Sequence, residues 1–327
     1  MAELKFPDLM LAMRGFQESR ALLTAVELDL FTAVGEGAPA ETVASRLASD
    51  PRATGQLLNA LVAIGALTKR DGVYHNTGET ARFLVASSPD CLRAGLLHSV
   101  HMWETWNHLT ECVRTGTAAH ERVNETRRPE WTRAFIAAMD QRARGEAGHV
   151  AQAAGAQGAR RMLDIGGGSG VYSIAFARAN PELRADVFDL PAVLELTRGY
   201  VRAAGLEERI GTRSGDMRSD ELGRGYDLAL VSAICHMFSP QENQQLFGRC
   251  YRALVPGGRL LMRDFILDAD GTSPKQAALF ALNMLVNTPH GSTYTEAEYT
   301  EWLLSTGFSR VERIQPPEIN LMAAWRE

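Results

Sequence analysis

The sequence is poor in cysteine, in excess positive charge and in long apolar runs. Its four cysteines among 327 residues form no C-x-x-C pair, which argues against a zinc site or a disulfide framework and for a reduced, cytoplasmic setting. A net charge of −5 gives no electrostatic footprint for nucleic acid or an anionic membrane. Without an uninterrupted apolar run of about 18 residues, or the charged and apolar blocks of a signal peptide, we expect neither a membrane span nor secretion.

The pattern of residues 162–177 is the most informative part of the sequence. The apolar run 162–165 predicts a strand, the glycine-dense run 166–170 predicts a tight turn, and 171–177 predicts the start of a helix. Glycine lets a backbone turn sharply and approach a ligand without a Cβ in the way. The helix N-terminus that follows favours a negatively charged group. The stretch therefore predicts the opening of a nucleotide-binding βαβ unit.

Two aspartates indicate which nucleotide. Asp189 ends the next predicted strand, 21 positions after Gly168, where a carboxylate suits a ribose diol. Val171 stands where the nicotinamide dinucleotide fingerprint requires glycine, and Asp164 would repel a pyrophosphate but attract an ammonium group. A dehydrogenase is thus the weaker alternative. We predict a ligand with a ribose and a cationic amino-acid head, and S-adenosyl-L-methionine has both.

The first 90 residues predict a winged helix, which has two possible functions. For DNA binding the third helix offers only Arg52, Gln56 and Asn59, and the segment holds 8 Lys and Arg against 11 Asp and Glu. We therefore favour packing of its apolar faces against a second copy, a homodimer, although a regulator that senses a small molecule stays an alternative. The predicted elements are helices in 9–30, 39–47 and 53–64 and a hairpin over 67–75 with Asp71-Gly72 at its turn.

Beyond residue 158, strands alternate with helices, which predicts an α/β fold with a doubly wound, mostly parallel sheet. Ligands of such sheets bind at the carboxyl ends of the strands. Predicted strands are 185–188, 210–214, 226–234 and 259–267, with a closing hairpin at 308–314 and 319–325; predicted helices are 194–204, 241–254 and 295–305. The residues at strand ends are Asp164, Asp189, Asp216, His236 and Asp264.

Five motifs in this order resemble the plant-type small-molecule O-methyltransferases, the group of caffeic acid and acetylserotonin O-methyltransferases and many bacterial natural-product enzymes. The resemblance covers nearly the whole chain. The motifs are Asp164-Ile165-Gly166-Gly167-Gly168-Ser169-Gly170, Phe188-Asp189-Leu190-Pro191, Gly215-Asp216-Met217, Ile234-Cys235-His236 and Pro256-Gly257-Gly258-Arg259.

The resemblance implies a division into a winged-helix dimerisation domain (1–95), a helical connector that contributes to the acceptor pocket (96–157) and a Rossmann-like catalytic domain (158–327). It implies a small-molecule acceptor, no metal, and S-adenosyl-L-homocysteine as the product of the cofactor. His236 would be the general base and Asp264 the acid that orients it. The implied cofactor residues are Asp164, Gly166, Gly168, Asp189, Leu190, Asp216, Met217, Ser232 and Phe238, and the implied acceptor-pocket residues are Trp103, Phe135, Met139, Met284 and Asn287.

The chain departs from the family pattern around the base. Met237 and Thr293 stand where acidic residues are common in the plant enzymes, and Ser232 stands where a lysine is usual. We expect methyl transfer to a phenolic hydroxyl, because a base near neutrality is useful for a group whose pKa is about 10. C-methylation, N-methylation and loss of methyl transfer stay open as alternatives.

Overall fold

The computed structural model describes residues 4–119 and 129–327, and residues 120–128 of the predicted connector lie outside these ranges. The chain forms two compact units, Met1–Trp103 and Glu104–Glu327, which are described separately. Among the described residues, no helix combines the length and the apolar character needed to cross a bilayer. The predicted division into three parts is not tested by these two units and stays a prediction.

The first unit consists of helices and a small antiparallel sheet. Helix α5 begins at Pro51 because Asp50 Oδ1 accepts a hydrogen bond of 2.8 Å from the Ala53 amide. Asp71 and Gly72 both have positive φ, 46° and 80°, as the two-residue hairpin turn requires. The elements are α1 (Phe6–Arg14), α2 (Phe16–Glu27), α3 (Leu30–Val34), β1 (Ala38–Pro39), α4 (Ala40–Leu47), α5 (Pro51–Ala63), β2 (Leu67–Arg70), β3 (Val73–Asn76), α6 (Gly78–Leu84) and α7 (Arg93–Trp106), with strand order β1-β3-β2.

Helix α1 has no buried residue, although its sequence is strongly apolar. Phe6 and Leu11 are each 74% exposed and Met13 is 68% exposed. Single exposed apolar side chains are ordinary on protein surfaces, but several on one helix mark an interaction surface.

The second unit is built on a seven-stranded sheet of order β11-β12-β8-β7-β4-β5-β6, parallel except where β12 runs antiparallel to β8 and β11. Apolar cores lie on both of its faces. The strands are β4 (Arg161–Ile165), β5 (Arg184–Asp189), β6 (Ile210–Ser214), β7 (Tyr226–Ser232), β8 (Leu254–Arg263), β11 (Arg310–Arg313) and β12 (Leu321–Trp325), and a separate parallel pair is β9 (Ile266–Leu267) with β10 (Tyr294–Thr295).

Helices cover this sheet. The helices are α8 (Leu109–Thr115), α9 (Pro129–Arg144), α10 (Ala147–Ala153), α11 (Val171–Ala179), α12 (Pro191–Ala203), α13 (Pro240–Ala253), α14 (Lys275–Asn287) and α15 (Glu296–Ser305). Strand β4 pairs with β5 on one side and β7 on the other, so the strand order reverses at β4. A doubly wound sheet binds its ligand at such a switch point.

The α/β class and the strand order along the chain are confirmed, but several predicted bounds are wrong. The strand predicted for 226–234 ends at Ser232 because Ala233 adopts a left-handed conformation (φ 56°). The strand predicted for 259–267 ends at Arg263, where Asp264 turns toward His236. Helices α6 and α14 and strand β1 were not predicted. The predicted capping box of α15, between Thr295 and Glu298, is confirmed.

Candidate active site

The glycine turn lies between β4 and α11 and exposes its backbone to the strand ends. Gly166, Gly168 and Gly170 all have positive φ, between 57° and 78°, which side-chain-bearing residues rarely adopt. A Cβ on Gly166 would lie 2.5 Å from Ile234 Cδ1 and 2.8 Å from Met217 Cε. The turn therefore needs glycine both for its conformation and for its close packing.

Asp164, the penultimate residue of β4, is a buried carboxylate beneath this turn. It is 1% exposed, and Ser173 Oγ donates a hydrogen bond of 2.7 Å to its Oδ2. Burial raises the pKa of Asp164 to about 6, although the Ser173 hydrogen bond opposes the shift. A buried carboxylate of this kind gains from a cation placed beside it.

Asp189 ends β5 and is tied to the glycine turn. Its Oδ2 accepts from the Gly168 amide at 2.9 Å and its Oδ1 from the Leu190 amide at 2.8 Å. Burial raises the pKa of Asp189, and the two amides oppose that shift. Each carboxylate oxygen can accept a second hydrogen bond, so the group can still accept from a pair of hydroxyls.

Asp216 and Met217 follow β6. Asp216 is bound by the guanidinium of Arg218, with an Nη2–Oδ2 distance of 2.7 Å, and this contact lowers the pKa of Asp216. Met217 lies beside Gly166, and its carbonyl accepts from Arg249 at 2.6 Å. Asp216 thus already has a strong partner, whereas Met217 is an apolar neighbour of the turn.

Two hydroxyls near β7 are buried without a protein partner of normal geometry among the described residues. They are Ser232 Oγ, at the end of β7, and Tyr172 Oη, on α11. The two hydroxyls lie close enough to interact with each other, since Ser232 opposes the rise in the pKa of Tyr172 that burial causes, and each can also form a hydrogen bond to a polar ligand. Together with the backbone of the glycine turn, Asp164 and Asp189, they match a ligand with an amino-acid head and a ribose.

His236 lies in a short 3₁₀ turn, Cys235–Met237, just beyond β7. Its Nδ1 is 2.6 Å from Asp264 Oδ1, and its backbone amide donates to Asp264 Oδ2 at 3.1 Å. The Phe265 amide also donates to Oδ1, at 2.7 Å. A carboxylate can only accept, so Nδ1 carries the proton and Nε2 is left with its lone pair. Nε2 makes no hydrogen bond to the described residues.

The turn that carries His236 is held from several sides. Asn243 Nδ2 donates to the carbonyls of Cys235 (2.9 Å) and Phe238 (3.3 Å), and the Tyr294 hydroxyl donates to Phe238 O as well. Gly291 packs so closely that an added Cβ would lie 2.4 Å from His236 O. These contacts fix the position of the imidazole.

Aromatic rings surround the imidazole. The Phe280 ring, on α14, meets it edge-on with centroids 4.8 Å apart, and the Phe265 centroid is 5.9 Å away. Phe265 and Phe280 stack on each other at 3.9 Å. A flat aromatic acceptor fits beside such a wall.

The other predicted site residues are spread over several elements. Met284 is buried on α14, and Asn287 on the same helix donates to Asn283 O at 2.9 Å. Phe135 and Met139 are half-buried on α9, whose Ile136 would be 3.6 Å from a Cβ on Gly168. Leu190 is 42% exposed at the start of α12, Phe238 is buried in an apolar core, and Trp103 belongs to the first unit, where Arg20 lies 5.8 Å from its ring centroid.

Sequence reasoning did not identify several residues of this site. Ser173, Asn243, Phe265 and Phe280 each contact a predicted site residue directly. Of these, only Phe265 had a signal in the sequence, since it follows a strand-end aspartate. Thr293, in the place of a family acid, donates to Ala277 O at 3.2 Å.

Sequence profiles match both units of the chain. The profile of an O-methyltransferase domain matches residues 106–309, and that of an O-methyltransferase dimerisation domain matches residues 10–87. Within the described part of the chain, no cluster of three or more His, Cys, Asp or Glu side chains could hold a metal ion. The fold, the glycine turn and these matches define an S-adenosylmethionine-dependent methyltransferase.

Several bacterial methyltransferases are similar to this chain. A 3-hydroxy-5-methyl-1-naphthoate 3-O-methyltransferase of Streptomyces sahachiroi is 35% identical, over 92% of this chain and 89% of the relative. An L-tyrosine C(3)-methyltransferase of Streptomyces lavendulae is 29% identical, over 88% and 82%. The structure of PigF with SAH has a TM-score of 0.89 at 30% identity and covers 98% of this chain and 99% of PigF. The chain belongs to the O-methyltransferase family of plant-type enzymes.

Proposed function

We propose that this enzyme transfers the methyl group of S-adenosylmethionine to a phenolic hydroxyl of a small aromatic or natural-product acceptor, with His236 as the general base. The observation that carries the proposal is the 2.6 Å contact between His236 Nδ1 and Asp264 at the carboxyl end of the sheet. The S. sahachiroi relative, named for O-methylation of a hydroxynaphthoate, supports this acceptor class.

Each residue of the site has a proposed role in cofactor binding or in proton transfer. The bound cofactor supplies an electrophilic methyl group and a neutral thioether as leaving group. Asp164 pairs with its ammonium group, Asp189 accepts from its ribose hydroxyls, and Gly166, Gly168, Leu190, Asp216, Met217, Ser232 and Phe238 complete its contacts. His236 Nε2 takes the proton from the acceptor hydroxyl, and Asp264 accepts from Nδ1 and so keeps Nε2 as the basic nitrogen.

The aromatic rings beside His236 would also position the acceptor. Phe265 and Phe280, with the predicted pocket residues Phe135, Met139, Met284 and Asn287, would hold the acceptor ring against the imidazole. Alignment of the acceptor oxygen with the methyl group at about 3 Å is itself a large part of catalysis. The helical segment 96–157 contributes the α9 side chains of this pocket.

We also propose that the enzyme is a homodimer formed through its N-terminal domain, 1–95, with the catalytic domain at 158–327. The dimerisation-domain match at 10–87 and the exposed apolar side chains of α1 support this. The low cysteine content and the acidic net charge favour a cytoplasmic enzyme that acts on a small molecule and not on nucleic acid.

C-methylation is a second candidate, because one relative is named an L-tyrosine C(3)-methyltransferase. The same base would serve it, since removal of a phenolic proton also makes the neighbouring ring carbon nucleophilic. Two-dimensional NMR of the product distinguishes a methoxy group from a ring methyl group.

His236→Gln should lower the methyl-transfer rate roughly 10²- to 10⁴-fold and leave cofactor affinity nearly unchanged, because only the proton acceptor is lost. Asp264→Asn should give a smaller loss of the same kind, since the imidazole keeps its place but not its tautomer. Single-turnover rates, with binding measured by isothermal titration calorimetry, test both. His149→Gln, at an exposed histidine of α10, is the matched control. Losses below about tenfold in both variants would mean that proximity alone drives transfer.

A further inference from the structure

Helix α9 carries a cation with no acidic partner, and its position bears on the acceptor of the reaction proposed above. Arg144, on the same helix, forms an ion pair with the buried Asp140. Across residues 4–119 and 129–327, by contrast, no carboxylate lies within ion-pair distance of the Arg142 guanidinium. Arg142 instead lies over the ring of Phe265, 4.7 Å from its centroid.

This contact connects Arg142 to the base through the aromatic wall. Phe265 stacks on Phe280 at 3.9 Å, and Phe280 meets the His236 imidazole edge-on at 4.8 Å. Phe265 also donates its backbone amide to Asp264. Two aromatic rings, Phe265 and Phe280, therefore connect Arg142 to the imidazole.

Helical geometry separates Arg142 from the cofactor turn. Ile136, on α9, faces Gly168. Arg142 is six residues further on, which places it about 9 Å along the helix and about 120° around it. Phe135, Met139 and Arg142 follow at i, i+4 and i+7, so they share one face of α9. The cation thus continues the stripe that we assign to the acceptor pocket.

The carboxylates near Arg142 are bound to other residues. Burial and the nearby Arg263 both lower the pKa of Arg142. Glu146 and Asp264 lie close enough to oppose this, but Glu146 is bound to Arg263 at 2.6 Å and Asp264 to His236. Although partial desolvation lowers its pKa, the Arg142 side chain is solvent-accessible and has no counter-ion of its own among the described residues, so it can bind an anion.

We propose that Arg142 binds a carboxylate carried by the acceptor, so that the preferred acceptors are aromatic hydroxy acids. A guanidinium matches a carboxylate with two parallel N–H donors, which fixes the orientation of a planar acid. With the carboxylate held at Arg142 and the ring along the edges of the stacked Phe265 and Phe280, the hydroxyl at the far side of the ring faces His236. The proposal rests on the function proposed above, because it assigns the specificity of that same site.

The test uses the full-length enzyme and hydroxynaphthoic acids, each paired with its own carboxamide, which keeps the ring and hydroxyl but removes the charge. We compare wild type with Arg142→Gln and Arg142→Lys. Arg133→Gln is the matched control, because Arg133 is exposed and lies on the opposite face of the same helix. The readouts are kcat and KM for each acceptor and the affinity for S-adenosylhomocysteine.

Wild type should prefer each acid to its amide, and Arg142→Gln should lose about 10- to 100-fold in kcat/KM for the acids, mainly through KM, with little change for the amides. Arg142→Lys should recover part of the loss, and Arg133→Gln should behave as wild type. Equal losses for acids and amides, or a weaker affinity for S-adenosylhomocysteine, would overturn the proposal; the second result would assign Arg142 to the cofactor's own carboxylate. If amides are methylated as well as acids by wild type, the inference fails and the methyltransferase function stands.

A separate binding measurement covers the case in which no acceptor of the panel is methylated, which would count against the proposed function. Calorimetric titration of the acids into the complex with S-adenosylhomocysteine needs no turnover. Binding of the acids that Arg142→Gln weakens and Arg133→Gln does not would still support the carboxylate site. Equal binding to the three proteins would refute it.

Discussion

Asp164→Asn separates the electrostatic contribution of Asp164 to cofactor binding from its contribution to the fold. Asp164 is fully buried, its hydrogen-bond donors are the hydroxyl and the backbone amide of Ser173, and its pKa is about 6 against an ordinary 3.8. In the free enzyme this shift costs about 3 kcal/mol at pH 7, because one pKa unit corresponds to about 1.36 kcal/mol. A ligand ammonium group placed beside the ionised carboxylate recovers that energy.

The pH dependence of binding follows from the same shift. With a pKa of about 6, Asp164 is about nine-tenths ionised at pH 7 and about one-tenth ionised at pH 5. If the ionised form binds the ammonium group, affinity for S-adenosylhomocysteine should fall roughly tenfold from pH 7 to pH 5. Isothermal titration calorimetry across this range measures it. In Asp164→Asn the pH dependence should vanish, and affinity at pH 7 should fall by about 10- to 100-fold.

Two further measurements make this reasoning refutable. Ser173→Ala removes the side-chain hydrogen bond that lowers the pKa of Asp164 and keeps the one from the backbone amide, so the midpoint of the binding curve should move above 6. The folded-state pKa exceeds the unfolded one, so the free protein binds the proton more tightly and loses stability as pH rises from 3.8 toward 6. Free Asp164→Asn should therefore be more stable than wild type at pH 7, and Asp268→Asn, at an exposed site, should match wild type. A pH-independent wild-type affinity would refute the assignment.

Two other predictions concern the ribose and the dimer. Asp189→Ala should weaken cofactor binding about 10- to 100-fold, the scale of hydrogen bonds to a charged acceptor, and unchanged calorimetric affinity in a folded variant would remove the ribose assignment. Leu11→Asp, at a 74% exposed position of α1, should convert a homodimer to monomer or aggregate in light scattering at micromolar concentration, whereas a wild-type monomer there would refute the dimer.

The glycine turn and Asp189 could be located from the sequence, because one needs an unusual backbone conformation and the other ends a strand. Glycine is nearly obligatory at the positive φ angles of Gly166, Gly168 and Gly170, so the turn could be placed from sequence. The position of Asp189, at the end of β5, could also be predicted, because the carboxyl ends of parallel strands lie at the same edge of the sheet. The hydrogen bond from Gly168 to Asp189 then follows from the pairing of β4 with β5.

The rest of the site depends on packing that local patterns do not encode. Helix α14 is apolar around most of its circumference, so periodicity could not show that Phe280 faces His236. Ala233 has φ 56°, a conformation that alanine seldom adopts, and nothing in the sequence indicated that β7 ends there. The ion pair of Asp216 with Arg218 depends on the loop after β6, and from the sequence Asp216 was predicted only as a cofactor residue.

Two of the buried aspartates at the strand ends, Asp164 and Asp264, have different hydrogen-bonding environments, and this difference supports the separate roles proposed for them. Asp264 accepts from three donors, the Nδ1 and backbone amide of His236 and the amide of Phe265, so its charge is satisfied within the protein. Asp164 accepts only from Ser173 and keeps a raised pKa. With Met237 and Thr293 in place of the family acids, Asp264 is the one carboxylate bonded to the imidazole among the described residues. These environments are the ones that the proposed function requires, in which one carboxylate orients the base and the other pairs with the ammonium group of the methyl donor.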